Sequence, residues 1–426
     1  MMRWGGLLLG ILLLLYAVPS NSHAEGTLQQ QIDAVPSGGT ILLKGRVYEE
    51  SILLSKPITV RGADGTKIKA CTKEPVIAIT GQSVTLKNLQ VESCSTVKAT
   101  TAISVSGEKH HLEDLKITAT EFAIKLDGAS QSTIKNIELS GKGKENGIDL
   151  WESSDNMISN VKIRHVQDGI YLENSHRNRI TKNDIQDSRY GVHLMFCNQT
   201  EVTGNLSQNN STGTMIMGTK DTIVENNRLL ENNENVHSQG ILLYDTFNTR
   251  IKNNQVSGNR VGIFVDHANG NFIEENLWSE NFIGMQFNQS HENTVRHNSF
   301  IGNVNDSQAV GSQDNVITQN YWDQSLKLDQ EGNGTSIIPY ASDPYFLSLS
   351  SNTPEYQIFF HSPGMIVLQK LMKSEEETLL RDEKPTMTPY EGMEQKGNGN
   401  TVLWILSLTM IMISSLFFIW GRRRVL

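Results

Sequence analysis

Short apolar pairs, each split by one residue and opened by a glycine, recur along the chain: Gly147-Ile148-Asp149-Leu150, Gly169-Ile170-Tyr171-Leu172, Gly191-Val192-His193-Leu194 and Gly262-Ile263-Phe264-Val265. The glycines at 147, 169, 191, 213, 240, 262 and 284 stand 22 residues apart, with a single step of 27 between 213 and 240. A second lattice keeps the same step and the same interruption: Asn183, Asn205, Asn227, Asn254, Asn276, Asn298 and Asn320. A third lies five residues further on, at Asn210, Asn232, Asn259, Asn281 and Asn303. Self-similarity at this period is the mark of a solenoid.

The 22-residue unit predicts an all-β fold, a right-handed parallel β-helix with about three short strands per coil. Strand positions alternate between faces, so Ile148, Leu150, Ile170, Leu172, Val192, Leu194, Ile263 and Val265 are expected to point inward. A second strand supplies Ile158, Ile180, Val202, Ile251 and Val295. A third supplies Ile163, Ile185, Leu206, Leu229, Val256, Leu277 and Phe300. The asparagines belong at the bends, where Asn tolerates left-handed backbone angles and its amide can bond equivalent residues on stacked coils. The pattern continues upstream through Ala102-Ile-Ser-Val105 and Ala123-Ile-Lys-Leu126, with a short helix over Leu28 to Val35 closing the first coil. Roughly twelve coils at the strand spacing give a rod on the order of 55–60 Å long.

The solenoid is expected over residues 25–345, and both ends of the chain carry membrane signals. Residues 1–24 read as a signal peptide: Arg3, the apolar run Leu7 to Val18, then Ser22-His23-Ala24. Val402 to Trp420 is uncharged and long enough to span a bilayer, so residues 401–421 are expected to form a transmembrane helix. Residues 422–426 carry Arg422, Arg423 and Arg424, which favour the cytoplasm. Between rod and span, residues 346–400 read as a helical segment (Met365, Leu368, Leu371 and Met372 on one side) followed by an acidic linker from Glu375. This layout places the rod outside the cytoplasm, tethered by its C terminus.

A net charge of −9 argues against nucleic acid as a partner. There are three cysteines. Cys71 and Cys94 each follow a strand residue by three and are placed to stack on successive coils. They are disulfide candidates in an oxidising compartment, and two buried thiols are the alternative. Cys197 is left over.

The outward positions of the first strand break the usual polar pattern. Two residues after each glycine stand Asp149, Tyr171, His193, Met215, Leu242, Phe264 and Gln286; four residues after stand Trp151, Glu173, Met195, Met217, Tyr244, Asp266 and Asn288. His193 is expected to stack on Met215, and Met195 on Met217. Cys197 lies two further along the Met195 strand, and His237 lies in the five-residue insertion. Imidazole, thioether and thiolate together are a ligand set that selects copper(I) over hard cations. The bland reading is an apolar patch covered by a partner or by the C-terminal segment.

The run Arg189-Tyr-Gly-Val-His-Leu-Met-Phe-Cys197 resembles the Arg-Tyr-Gly-Val-His-x-Met segment of the NosD family. Asn320-Tyr-Trp-Asp323, Pro339-Tyr340 and Asp343-Pro344 are similar to that family's closing block. The resemblance covers roughly residues 25 to 345. It implies an exported accessory protein rather than an enzyme, one that helps to mature nitrous oxide reductase in denitrification. The expected partners are an ABC transporter in the same membrane, a copper chaperone and the reductase, with copper(I) as the metal handled. The match carries a copper role onto His193 and Met195, while Met215, Met217 and Cys197 extend it by coil stacking and His237 is added from the insertion on the neighbouring coil. Asp329-Gln-Glu-Gly-Asn-Gly334 departs from the more acidic run found in the family, which puts calcium at that loop in doubt.

Two other functions fit the same fold. A polysaccharide lyase, epimerase or hydrolase acting on acidic sugars needs clustered carboxylates; Asp149, Glu173, Asp245 and Asp266 lie on the relevant face, and Asp245 with Asp266 forms the nearest pair. A non-catalytic carbohydrate-binding rod would use Trp151, Tyr171, Tyr244 and Phe264 as stacking platforms.

Overall fold

The computed structural model describes residues 26–342, 362, 364, 380–390 and 407–414 of the chain. The expected signal peptide, most of the expected helical segment and the ends of the expected span lie outside these residues. Within the span, residues 407–414 are helical. Among the described residues no helix is long and apolar enough to cross a membrane.

Residues 26–342 form a parallel β-solenoid. In the described residues, twelve strands make one continuous sheet, running from Ile52–Leu54 through Tyr190–Met195 to Asn305–Val310. The remaining strands form the other walls. As far as Trp322, each strand pairs in parallel with its equivalent one coil away, and the register carries Ile148 onto Ile170, Val192, Thr214 and Ile241. The inward residues of this sheet are fully buried. The helix Leu28–Ala34 starts at a Thr27/Gln30 capping box and buries Leu28 and Ile32 on the first coil, hiding the open end that a stack of coils would otherwise expose.

The glycine column exists because coils approach closely there. A Cβ on Gly191 would lie 2.5 Å from the Gly213 carbonyl oxygen, and one on Gly262 would lie 2.4 Å from that of Gly284. The last residue in this register is Asp306, under which Gly284 sits. The following coil has no strand in this sheet, so a side chain is tolerated.

The asparagine ladders are continuous. Asn205 Oδ1 accepts both the backbone N–H of Asn183 (2.9 Å) and its amide Nδ2 (3.0 Å), and Asn254 does the same for Asn227 across the 27-residue step. The left-handed residue at each bend is not the ladder asparagine, however, but the one before it: Lys182, Gly204, Asn226, Asn253, Glu275, His297 and Gln319 all have φ between 53° and 67°. The turn swings the following side chain inward, which is why the asparagines are buried instead of exposed.

Two inward assignments are corrected. In the third strand column Ile185 pairs with Ser207, not with Leu206, and Val256 pairs with Trp278, not with Leu277. Apolar character alone picked the larger aliphatic neighbour, whereas register decides. Trp278 and Phe300 start an interior aromatic stack that continues to Trp322 and Tyr340, with the last two spacings 4.1 and 4.0 Å.

Cys71 and Cys94 are joined by a disulfide between neighbouring coils. The expected linker is also corrected in part. Residues Leu380–Asp382 form a strand that pairs antiparallel with Tyr340–Ser342 and touches Ile317 in parallel register with Asp382. That portion belongs to the rod and closes its C-terminal end.

Candidate functional site

His193 stands near the middle of the strand Tyr190–Met195, on the outward face of the twelve-strand sheet. Parallel pairing sets Tyr171 on one side of it and Met215 on the other, and it sets Met195 between Glu173 and Met217. The two pairs expected from the repeat are therefore adjacent in register. His193 and Met215 are each only 7% exposed, and Met195 and Met217 are half-buried.

The imidazole is held by residues that the repeat lattice alone did not single out. Its Nδ1 lies 2.9 Å from Asp168 Oδ2. Asp168 is fully buried and also receives Arg189 Nε and Nη2, each at 2.8 Å. Burial pushes the Asp168 carboxyl up, but the hydrogen bonds from His193 and Arg189 outweigh this and hold it below the usual carboxylate range. The Arg189 guanidinium is pushed up by the same pairing. Tyr171 and Tyr190 meet the imidazole edge-on, with ring centroids 4.9 and 5.0 Å away. His193 Nε2 is buried and has no hydrogen-bond partner among the described residues. A buried ring nitrogen without a partner is uncommon and calls for an explanation.

Beside this dyad, Tyr171 donates its hydroxyl to Glu173 and lies 3.3 Å from Met195 Sδ. Burial, then the Glu173 carboxylate, pushes the phenol well up. Asp149 is buried and accepts Trp151 Nε1 at 2.9 Å and Asn146 Nδ2 at 2.8 Å; burial still raises its carboxyl.

Two expected ligands do not join the site. Cys197 is wholly buried and directs its Sγ toward the carbonyls of Met195 (3.2 Å) and Leu172 (3.5 Å). The reason is Phe196, whose φ of 55° turns the chain and reverses the alternation, so that Cys197 points inward. Burial pushes its thiol up to about 11, and a protonated thiol is a poor metal ligand. His237 is exposed, in a turn where its N–H bonds Asn235 Oδ1. Register pairs Thr212 with Gln239 and Met217 with Tyr244, so the insertion meets the opposite end of the strand from Met217. At about 3.3 Å per residue that separation is roughly 17 Å, too far to share an ion.

The carboxylates considered for sugar chemistry fall in two groups: Asp149 pairs in register with Tyr171, whose hydroxyl bonds Glu173, and the Asp245 N–H bonds the Asp266 carbonyl at 3.1 Å. Asp266 Oδ1 accepts Asn288 Nδ2 at 2.8 Å and lies 2.7 Å from His267 Nδ1. Asp245 sits outside the strand, on a left-handed bend with φ 50°. Among the described residues no cluster of three or more His, Cys, Asp or Glu is placed to hold a metal. A metal at His193 therefore depends on thioether donors, a set that suits copper(I) and no hard cation.

The fold is shared with carbohydrate-active proteins. The periplasmic alginate epimerase AlgG superposes with a TM-score of 0.51 at 15% identity, covering 68% of this chain and 82% of that one. A double mutant of AlgG reaches 0.54 at 15% identity over 69% and 82%. At such identity the likeness concerns the fold alone. No curated protein matches the sequence. Residues 130–338 match the family described as NosD, periplasmic copper-binding protein. The matched coils carry the His193 site, and through them the chain resembles the NosD family.

Proposed function

We propose that this chain is an extracytoplasmic accessory protein that receives copper(I) and passes it on during nitrous oxide reductase maturation. The observation that carries this reading is the buried, unpartnered Nε2 of His193 on the strand next to Met215. An imidazole nitrogen and one or more thioethers bind copper(I) without a charged ligand, which favours exchange over permanent storage. Met195 and Met217, two residues along the same two strands, give the ion a second station about 7 Å away. Cys197 and His237 have no part in it. The family's description as periplasmic and copper-binding supports the compartment and the cargo. A copper chaperone as donor, an ABC transporter as membrane partner and the reductase as recipient complete the reading.

The test uses full-length protein in detergent and competition with a copper(I) chelator. Tight binding is expected, and it should be lost when His193, Met195, Met215 and Met217 are all changed to Ala. Equal affinity in that variant, with its melting temperature preserved, would remove the site. Loss of copper from a coexpressed nitrous oxide reductase on deletion of the gene tests the assigned process separately.

The rival reading, an enzyme on acidic sugars, draws on Asp149, whose raised carboxyl lies one coil from Tyr171. Such an enzyme also needs a cation to neutralise a uronate carboxylate; Arg189 is committed to Asp168 through two hydrogen bonds, and Lys125, in register with Asp149, would have to serve.

A further inference from the structure

Free imidazole carries its proton on either nitrogen, and only the tautomer protonated at Nδ1 leaves a lone pair at Nε2 for a metal. The surroundings of His193 favour one choice. An ionised carboxylate accepts and cannot donate, so Asp168 Oδ2 at 2.9 Å from Nδ1 draws the proton to that atom. Arg189 engages both Asp168 oxygens and stabilises the carboxylate in its buried place. Tyr190 pairs in register with Asp168 and has its ring edge against His193 and its face under the Arg189 guanidinium, 4.4 Å away. Tyr171 closes the other side of the imidazole.

We infer that Asp168 is the positioning residue of the copper site, anchored by Arg189. It fixes His193 as the Nδ1–H tautomer and leaves the Nε2 lone pair free for the metal, on the strand next to Met215. The inference rests on the copper reading above and deepens it. Asp168 does not touch the metal itself: its oxygens are occupied by His193 and Arg189. Its effect runs through the imidazole, in orientation and in the added electron density that a carboxylate partner lends a ligating ring. Arg189 adds rigidity: a lysine in its place could not span both oxygens. The copper(I) therefore meets a neutral nitrogen and thioethers, with the negative charge held behind the ring.

The experiment has two independent readouts. In full-length protein labelled with 15N-histidine, and with the His193 signals assigned by H193Q, the metal-free wild type should show His193 as the single Nδ1–H tautomer. D168N replaces the carboxylate with an amide that can donate as well as accept, so both tautomers should appear. Copper(I) affinity by chelator competition should then fall 10–100-fold, the usual scale for loss of such a partner, and X-ray absorption should show a weakened nitrogen contribution. R189M should shift both readouts in the same direction by a smaller amount, and R189K should restore part of the loss. A folded D168N that keeps one Nδ1–H tautomer and wild-type affinity would overturn the inference. A wild type that shows the fixed tautomer yet binds no copper(I) would leave Asp168 as a positioning residue and overturn the copper reading.

Discussion

Asp382 ends the asparagine ladder at Asn320. Its Oδ2 accepts the Asn320 backbone N–H at 2.9 Å, the Asn320 amide at 3.1 Å and the Trp322 indole N–H at 3.0 Å, while its Oδ1 accepts the Gln319 N–H at 3.2 Å. On earlier coils the equivalent backbone and amide donors bond the asparagine one coil on, as Asn298 does with Asn320. Here the acceptor comes from 62 residues downstream.

Removing that acceptor strands several buried donors. D382A is expected to cost about 3 kcal/mol, with the loss concentrated in the last coils. Amide exchange should quicken around Asn298 to Trp322 and stay unchanged near Ile170. Uniform protection in the variant would show that Asp382 is not the closing rung.

Cys197 occupies a column of small inward residues: Ser153, Ser175, Cys197, Thr219, Thr246, Ala268 and Ser290, all buried. C197S is therefore expected to change stability by less than about 1 kcal/mol and to leave copper(I) affinity untouched. A loss of copper binding in C197S would return the thiol to the site.

That column also marks what the sequence could and could not disclose. The 22-residue step foretold the sheet, its register and the meeting of His193 with Met215, because identical spacing stacks identical positions. Cys197 went astray because strict alternation was carried across Phe196, where the left-handed bend resets it. The small residues six places after each glycine were a visible warning. Asp168 was harder to single out. It lies one residue before Gly169, in a column whose other members include Tyr190, Thr212 and Gln239, so no periodic pattern sets it apart. Its role comes from a contact with His193 on the next coil. Asp382 had no local signature either, since it lies in an acidic stretch and acquires its meaning only through a long return of the chain.

Asp306 should make the C-terminal coils sensitive to pH. Burial, then the charge of Asp323, pushes its carboxyl from 3.8 up to about 7; Asn303 and Gln324 bond it, Lys327 partly offsets the repulsion, and one carboxyl oxygen has no partner among the described residues. The folded state thus binds the proton more tightly than the unfolded chain. The stability this gives is fully present below about pH 4 and is lost as pH rises through about 7. The swing is on the order of 4 kcal/mol at 1.36 kcal/mol per pH unit. His110 works in the opposite sense: burial lowers its pKa, so its contribution fades as pH falls below the ordinary histidine value. The difference between wild type and D306N separates the two. Between pH 4.5 and 8.5 the wild type should lose stability relative to D306N, whose amide needs no proton. Parallel pH profiles for the two proteins would show that Asp306 is ionised throughout and is compensated in the fold.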